Sequence, residues 1–362
     1  MIFGKGKMIW MKFLRNCLLK ARLLMIRSAS AFFSPLIGSL ADRYGRRKII
    51  SFALVSQTLG MAGIALATGW WSVFPIFLCG VAVNAYLPAQ QAYISDLAPY
   101  ERRGRALASI DIAFAFSGMV LMPIIGWLIS AYGWQAPFWW LGALSLIAAL
   151  LTWAYLPETK TRTKSKESTG MWSLLRQRNI QASMGVAIFL FIAVGIFMTF
   201  WSIWLSADFN FNALELGLIA QQIGIAELLG AILAGLVVDR LGKRRTSMTG
   251  IIVAAIMFWA IPLAGENLIA IRMLLVITVF WIELSIVALF PLHGEQAPHA
   301  RASIFALIAL GNGIGLAIGP VITTNLWDWR GLTAITTVAA LSLVFSVILL
   351  WAFLHDNVEA LS

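Results

Sequence analysis

Gly38-Ser-Leu-Ala-Asp42-Arg43-Tyr-Gly45-Arg46-Arg47-Lys48 returns 197 residues later as Gly235-Leu-Val-Val-Asp239-Arg240-Leu-Gly242-Lys243-Arg244-Arg245. Each copy is a short charged phrase set between long apolar segments. An internal repeat of this length in an apolar chain predicts two homologous membrane halves.

Composition agrees with that division. The 362 residues are 60% hydrophobic and only 12% charged, with mean hydropathy +0.85, whereas a soluble globule carries roughly a quarter charged residues. The chain therefore reads as an all-α polytopic membrane protein. Its net charge of +11 marks one set of loops rather than a nucleic-acid surface. Cys17 and Cys79 are too far apart in sequence, and Cys79 too deep in an apolar run, to imply a disulfide framework or metal site. His293, His299 and His355 read as ordinary residues at the membrane surface.

From Ile49 to Ser95 there is no charged residue, and at 1.5 Å per residue this is about 70 Å of helix, twice a bilayer core. It must fold as two spans, with the break expected near Gly69-Trp70-Trp71. Ile112 to Pro157 repeats the pattern, with a break near Tyr132-Gly133-Trp134. After a polar linker, six more apolar segments follow, at about 180–207, 214–238, 246–265, 270–291, 302–326 and 332–354.

If each break reverses the chain, Arg43, Arg46, Arg47, Lys48, the Arg102–Arg105 group, the linker cations, Arg240, Lys243, Arg244, Arg245 and Arg301 share one side. Only Arg272 and Arg330 fall on the other. The positive-inside rule then makes the repeated phrases, the linker and the C-terminus cytoplasmic. Trp70, Trp71, Trp134, Trp201, Trp204, Trp327 and Trp329 are expected in the outer aromatic belt.

The first phrase resembles the signature loop of the major facilitator superfamily, G-x-x-x-D-R-x-G-R-[RK]-[RK], matched by Gly38, Asp42, Arg43, Gly45, Arg46, Arg47 and Lys48. The second copy, Asp239, Arg240, Gly242, Lys243 and Arg244, is the weaker echo that the family shows in its second half. The resemblance implies two six-helix halves working by alternating access, and a cytoplasmic latch built on these loops. A carboxylate at the C-terminal end of a helix is disfavoured by the macrodipole, so Asp42 needs a partner outside its own helix. In the family that partner looks like the N-terminus of the eleventh helix, here near Ala302 and Ser303. Arg46 or Arg47 would pair with Asp96. The echo continues, since Asp96-Leu-Ala-Pro-Tyr-Glu-Arg102 aligns with Glu295-Gln-Ala-Pro-His-Ala-Arg301, and Glu295 would pair with Lys243 or Arg244. The competing account is that both loops enforce topology by charge alone.

A second family motif, typical of antiporters, is partly present in Gly118, Pro123 and Gly126, with Met122 and Trp127 where glycines are usual. Ile76 stands where many drug and proton antiporters carry an arginine four residues before a glycine. Gly311, Gly315 and Gly319-Pro320 make a small-residue stripe for close helix approach, serving packing or gating.

Ionisable groups near the bilayer centre are costly and so are functional candidates. Glu227 lies twelve residues before Asp239, about 18 Å along a helix, in a stripe with Gln221, Gly224, Ala231 and Gly235 that is expected to face a central cavity. Glu283 is at similar depth, and Asp111 is shallower, nearer the cytoplasmic charges. These are the candidate proton-coupling residues, the alternative being structural acids that join helices. Trp201 and Asn312 complete the cavity candidates. Phe189, Phe191, Phe197, Phe200, Trp201 and Trp204 either stack on an apolar solute or pack the helix they share.

Residues 1–27 hold seven basic residues and no acid, and no span of about 20 apolar residues fits among them. The uncharged run before Asp42 is only Ser28 to Ala41. About 11 of the family's 12 helices are thus expected, the first being absent. The expected organisation is a basic segment 1–27, an incomplete N-terminal half 28–157, a linker 158–178, a six-helix half 179–355 and a tail 356–362. The function implied is secondary transport of small organic solutes by proton-coupled efflux. Import of a metabolite and a truncated, non-transporting membrane protein are the alternatives. No cofactor, metal, nucleic acid or enzymatic residue set is expected. The partners are solute, protons and the lipid bilayer, and the protein is expected as a monomer in the inner (plasma) membrane.

Overall fold

The computed structural model describes residues 45–67, 69–97, 103–158, 175–296 and 301–354. Gly38, Asp42, Arg43, the basic N-terminal segment, the run Ser28 to Ala41 and most of the linker lie outside the described residues. What is described is helical: α1 Arg46–Leu66, α2 Val73–Leu97, α3 Arg103–Tyr132, α4 Ala136–Tyr155, α5 Arg178–Asp208, α6 Ala213–Leu241, α7 Lys243–Ala260, α8 Leu268–Glu295 and α9 Arg301–Phe353. Gly331, at φ 65° and ψ −160°, breaks α9 into two helices. Eight helices among the described residues are long and apolar enough to cross a membrane, and α2 and α3 each carry a shorter apolar stretch.

The breaks follow local chemistry. A 3-10 turn at Gly69–Ser72 separates α1 from α2. Gly133, at φ 88°, ends α3, since a residue with a Cβ rarely adopts that conformation. At the start of α6, Asn212 and Glu215 form a capping box: the Asn212 side chain accepts from the Glu215 amide at 3.0 Å, and the Glu215 carboxylate accepts from the Asn212 amide at 2.8 Å. Asn267 caps α8 by accepting from the amides of Ile269 and Ala270. The two cations set apart from the basic loops rest on aromatic rings, Arg272 at 5.9 Å from the Phe211 centroid and Arg330 at 4.6 Å from that of Trp329.

The described residues of the chain fall into two compact units. The first holds residues up to Ala108 together with Tyr132–Thr163, and the second holds Ser109–Ala131 and everything from Lys164 onward. In the first unit α1 packs on both α2 and α4. In the second, α5 packs along α9, α8 on α6 and α7, and α7 on α9. Ser109–Ala131 of α3, counted with the first half on sequence order, clusters with the second unit because its small residues meet α6. Without an apolar driving force between helices in lipid, such close small-residue contacts and interhelical hydrogen bonds hold a bundle together.

The core of the second unit takes in the aromatic residues of α5. Phe197, Phe200 and Phe258 are almost fully buried and meet at centroid distances of 5.7 to 6.2 Å. Trp204, expected in the outer aromatic belt, is instead 4% exposed and stacks on Phe200 at 6.4 Å. Its helix turns this edge toward the core, so burial rather than the interface accounts for it. Trp71, Trp134 and Trp329 are exposed.

Candidate functional site

The two copies of the repeated phrase build the same turn. Gly45 stands at φ 94° and ψ 142° immediately before α1, and Gly242 at φ 86° and ψ 142° immediately before α7. Both conformations favour glycine, and the match, with φ 94° against 86° and the same ψ, makes the repeat three-dimensional. A methyl group added at Gly45 would sit 2.7 Å from Glu158 Oε1.

The arginine two residues on reaches the end of a distant helix in each copy. Arg47 donates to the Trp153 carbonyl, and its guanidinium lies 4.9 Å from the Trp153 ring centroid. Arg244 donates to the Trp351 carbonyl at 2.5 Å. Trp153 and Trp351 both lie in the last turn of their helices, α4 and α9, where carbonyls have no partner within the helix. Each arginine therefore caps a C-terminus with a cation, the favourable sign for the helix dipole. In both, Nε is buried and without a hydrogen-bond partner among the described residues. Neither tryptophan was singled out from sequence for this role. The available clue was their spacing of 198 residues, close to that of the repeat.

Around this shared turn the ion pairs differ. Lys243 at the start of α7 pairs with Glu295 at the end of α8, with side chains 27% and 18% exposed. In the first unit Lys48 lies 3.5 Å from Glu158, both about half exposed. The Tyr93 hydroxyl donates to the Pro157 carbonyl at 3.0 Å, holding α2 to the segment after α4. The side chains of Asp96, Asp111 and Asp239, and those of Arg301 to Ser303, lie outside the described residues.

Glu227 is the central residue of α6, fourteen from Ala213 and fourteen from Leu241. It is half-buried and makes no ion pair among the described residues. Gly230, one turn on, faces α8: a methyl group there would lie 2.6 Å from the Phe280 carbonyl and 3.2 Å from Glu283 Cβ. Another face of α6 meets α3. Gly217 lies against the Met122 carbonyl, and Gly126 against that of Ala213. Gly224, expected to line an open cavity, is instead buried there, where a methyl group would come within 3.2 Å of the Met119 amide. The missing side chain lets two backbones touch. Gln221 is half-buried, and Gly235 has no atom within 4 Å of where its Cβ would stand. Nor does Gly118, on α3 with the helix-interior Pro123.

The glycine stripe of α9 meets α5. Methyl groups at Gly311, Gly315 and Gly319 would come within 3.2 Å of the Met184 carbonyl, 2.5 Å of the Ile188 carbonyl and 2.6 Å of the Gly195 carbonyl carbon. Gly195 reciprocates against Gly319 and Pro320. Next to this seam, Asn312 and His293 line a small cavity with Leu190, Phe191 and Leu289. His293, expected at the membrane surface, is only 3% exposed. Its Nδ1 and the Asn312 Oδ1 are both buried and lack partners among the described residues, a pair of polar atoms that sequence reasoning missed. Trp201 is half-buried against the core. Among the described residues no group of three metal-ligating side chains occurs.

A family profile described as Major Facilitator Superfamily matches residues 23–193 and again 183–361. The chain is 26% identical over 340 residues to the multi-drug resistance efflux pump PmrA homolog of Lactococcus lactis subsp. lactis (strain IL1403), covering 90% of this chain and 82% of that protein. It is 24% identical over 329 residues to the class C tetracycline resistance protein of Escherichia coli, covering 86% and 81%. Among solved structures, a D-xylose-proton symporter superposes with a TM-score of 0.77 over 94% of this chain and 88% of its own, at 17% identity. The human organic anion transporter MFSD10 (TETRAN) gives 0.68 over 92% and 83%, at 19% identity. These two likenesses speak for the fold alone.

Proposed function

The chain belongs to the Major Facilitator Superfamily, and from that membership we propose that it exports small organic compounds across the membrane in exchange for protons. It is a multi-pass membrane transporter of that family and not an enzyme. The direction and the coupling ion are the proposal. Supporting export, relatives matched along most of the chain are named as drug-efflux and tetracycline-resistance proteins.

The observation that carries proton coupling is Glu227. A carboxylate at the centre of a membrane-crossing helix, half-buried and without an ion pair among the described residues, is costly to keep charged and so is suited to take up and release a proton. Glu283 contacts the same helix from α8 and is the second coupling residue. Asp111 is the shallower third. The repeated turns act as cytoplasmic latches, with Asp42, Arg46 and Asp96 in one half and Asp239, Lys243 and Glu295 in the other. The protein works as a monomer in the inner membrane, with its C-terminus in the cytoplasm.

Proteoliposomes loaded with a fluorescent cationic dye and given an imposed pH gradient test this directly. The wild-type chain moves dye against its gradient only while the pH difference lasts, and Glu227→Gln abolishes the pH-driven component. Full pH-driven flux in the Gln variant would remove Glu227 from the coupling, and dye movement indifferent to the gradient would remove proton exchange.

A further inference from the structure

Beside the second copy of the repeated turn there is an open groove of about 520 Å³ between α6 and α7, floored by α8. Its upper rim carries Arg240 and Arg245, both exposed and neither in an ion pair among the described residues. Thr246 and Thr249 also line the groove, their hydroxyls donating to the carbonyls of Gly242 and Arg245. Arg245 and Thr246 belong to the first turn of α7, for which Gly242 offers no side-chain cap. The lower wall is apolar: Leu233, Val237 and Leu241 follow one another at four-residue spacing down α6, opposite Trp281 and Leu284 of α8.

We propose that this groove binds one anionic phospholipid, the phosphate of its headgroup held between Arg240 and Arg245 and an acyl chain lying along Leu241, Val237 and Leu233. Charge complementarity selects the occupant. Two guanidiniums and a helix N-terminus attract a phosphate, and basic pockets between membrane helices near the interface suit anionic headgroups. The apolar wall suits a hydrocarbon chain and offers nothing to a free anion. The neighbouring helix surface is already apolar and exposed, with Leu236 66%, Ile232 52% and Ile252 42% accessible, as a lipid-facing surface should be. A zwitterionic lipid would bring its own ammonium against the two arginines. The site rests only on the chain being a membrane protein and is independent of the direction of transport or its coupling ion.

Native mass spectrometry of the full chain in mild detergent, titrated with dioleoyl phosphatidylglycerol or dioleoyl phosphatidylcholine, reads this site. One phosphatidylglycerol stays bound to the wild-type chain at collision energies that strip phosphatidylcholine. R240Q/R245Q weakens phosphatidylglycerol retention at least tenfold, while R240K/R245K, which keeps the charge and checks that the fold survives, weakens it no more than about threefold. Millimolar inorganic phosphate leaves the lipid in place. Equal retention of the two lipids, undiminished phosphatidylglycerol binding in R240Q/R245Q, or displacement by inorganic phosphate each overturns the proposal.

Discussion

Lys243 at the first position of α7 forms an ion pair with Glu295 at the last position of α8, joining the two ends of neighbouring helices across 52 residues of chain. The pair is screened from solvent more than its counterpart in the first unit, Lys48 with Glu158, whose side chains are 55% and 45% exposed. That difference decides what each is worth. An exposed pair contributes about 0–1 kcal/mol, whereas breaking a buried one costs about 3–5 kcal/mol because the remaining charge is stranded.

Glu295→Gln should therefore destabilise the purified protein by about 1–3 kcal/mol, between those limits, and Glu158→Gln by less than about 1 kcal/mol. Thermal unfolding in detergent separates the two. The charge exchange Lys243→Glu with Glu295→Lys should recover much of the loss. If it recovers nothing while both single variants are destabilised, the two residues are not energetically coupled.

Replacing Gly45 or Gly242 by alanine places a Cβ on backbone at φ 94° or 86°, at about 1–3 kcal/mol each. The two costs should be similar, since the backbone is the same. Gly45→Ala also pushes away the Glu158 carboxylate, whose exposed pairing with Lys48 contributes little that could be lost. A lower unfolding midpoint in both variants is the expected reading, and no change in either would argue that these turns relax freely.

The seam between α5 and α9 should tolerate no added carbon. Gly315→Ala sets a methyl group 2.5 Å from the Ile188 carbonyl, and Gly319→Ala one at 2.6 Å from Gly195. Overpacking of this kind costs about 1–3 kcal/mol or more. Gly313→Ala, on the same helix with nothing within 4 Å, is the internal control and should be neutral or slightly stabilising. Equal stability of all three variants would show that α9 does not hold this register on α5.

The His293 Nδ1 should behave as a buried polar atom without a partner among the described residues. Removing such a group by an apolar side chain is close to neutral or stabilising, whereas stranding a partner costs about 1–3 kcal/mol. His293→Leu is thus expected to keep or raise the unfolding midpoint. A clear drop would mean that its Nδ1 is engaged, with a water in the cavity beside Asn312 as the first suspect.

Arg47 and Arg244 illustrate what a linear reading can and cannot reach. The charged phrase was visible as a repeat, and its glycines announce turns that follow from local backbone sterics. The partners of the two arginines are carbonyls of Trp153 and Trp351, 106 and 107 residues away. A carbonyl has no identity in sequence, so nothing local distinguishes it from its neighbours. The acid Glu295, by contrast, stood out as a charged residue at the end of an apolar run, and its position in the second repeat was readable.

Span lengths, the breaks at Gly69–Ser72 and Gly133, the paired turns at Gly45 and Gly242 and the membership of a two-half membrane family were determined by the sequence itself. Those features depend on how many apolar residues run together and on which positions require glycine, both local quantities. The faces of the helices were decided only by tertiary structure. In lipid, outward and inward surfaces are both apolar: Leu229 and Ile256 are more than half exposed, while Leu190 and Ile251 are buried. Hydrophobic periodicity therefore does not say that Trp204 points into a core, that Gly224 touches α3, or that His293 lies beneath α9. Packing at small residues makes those choices, and it becomes visible only once the helices stand side by side.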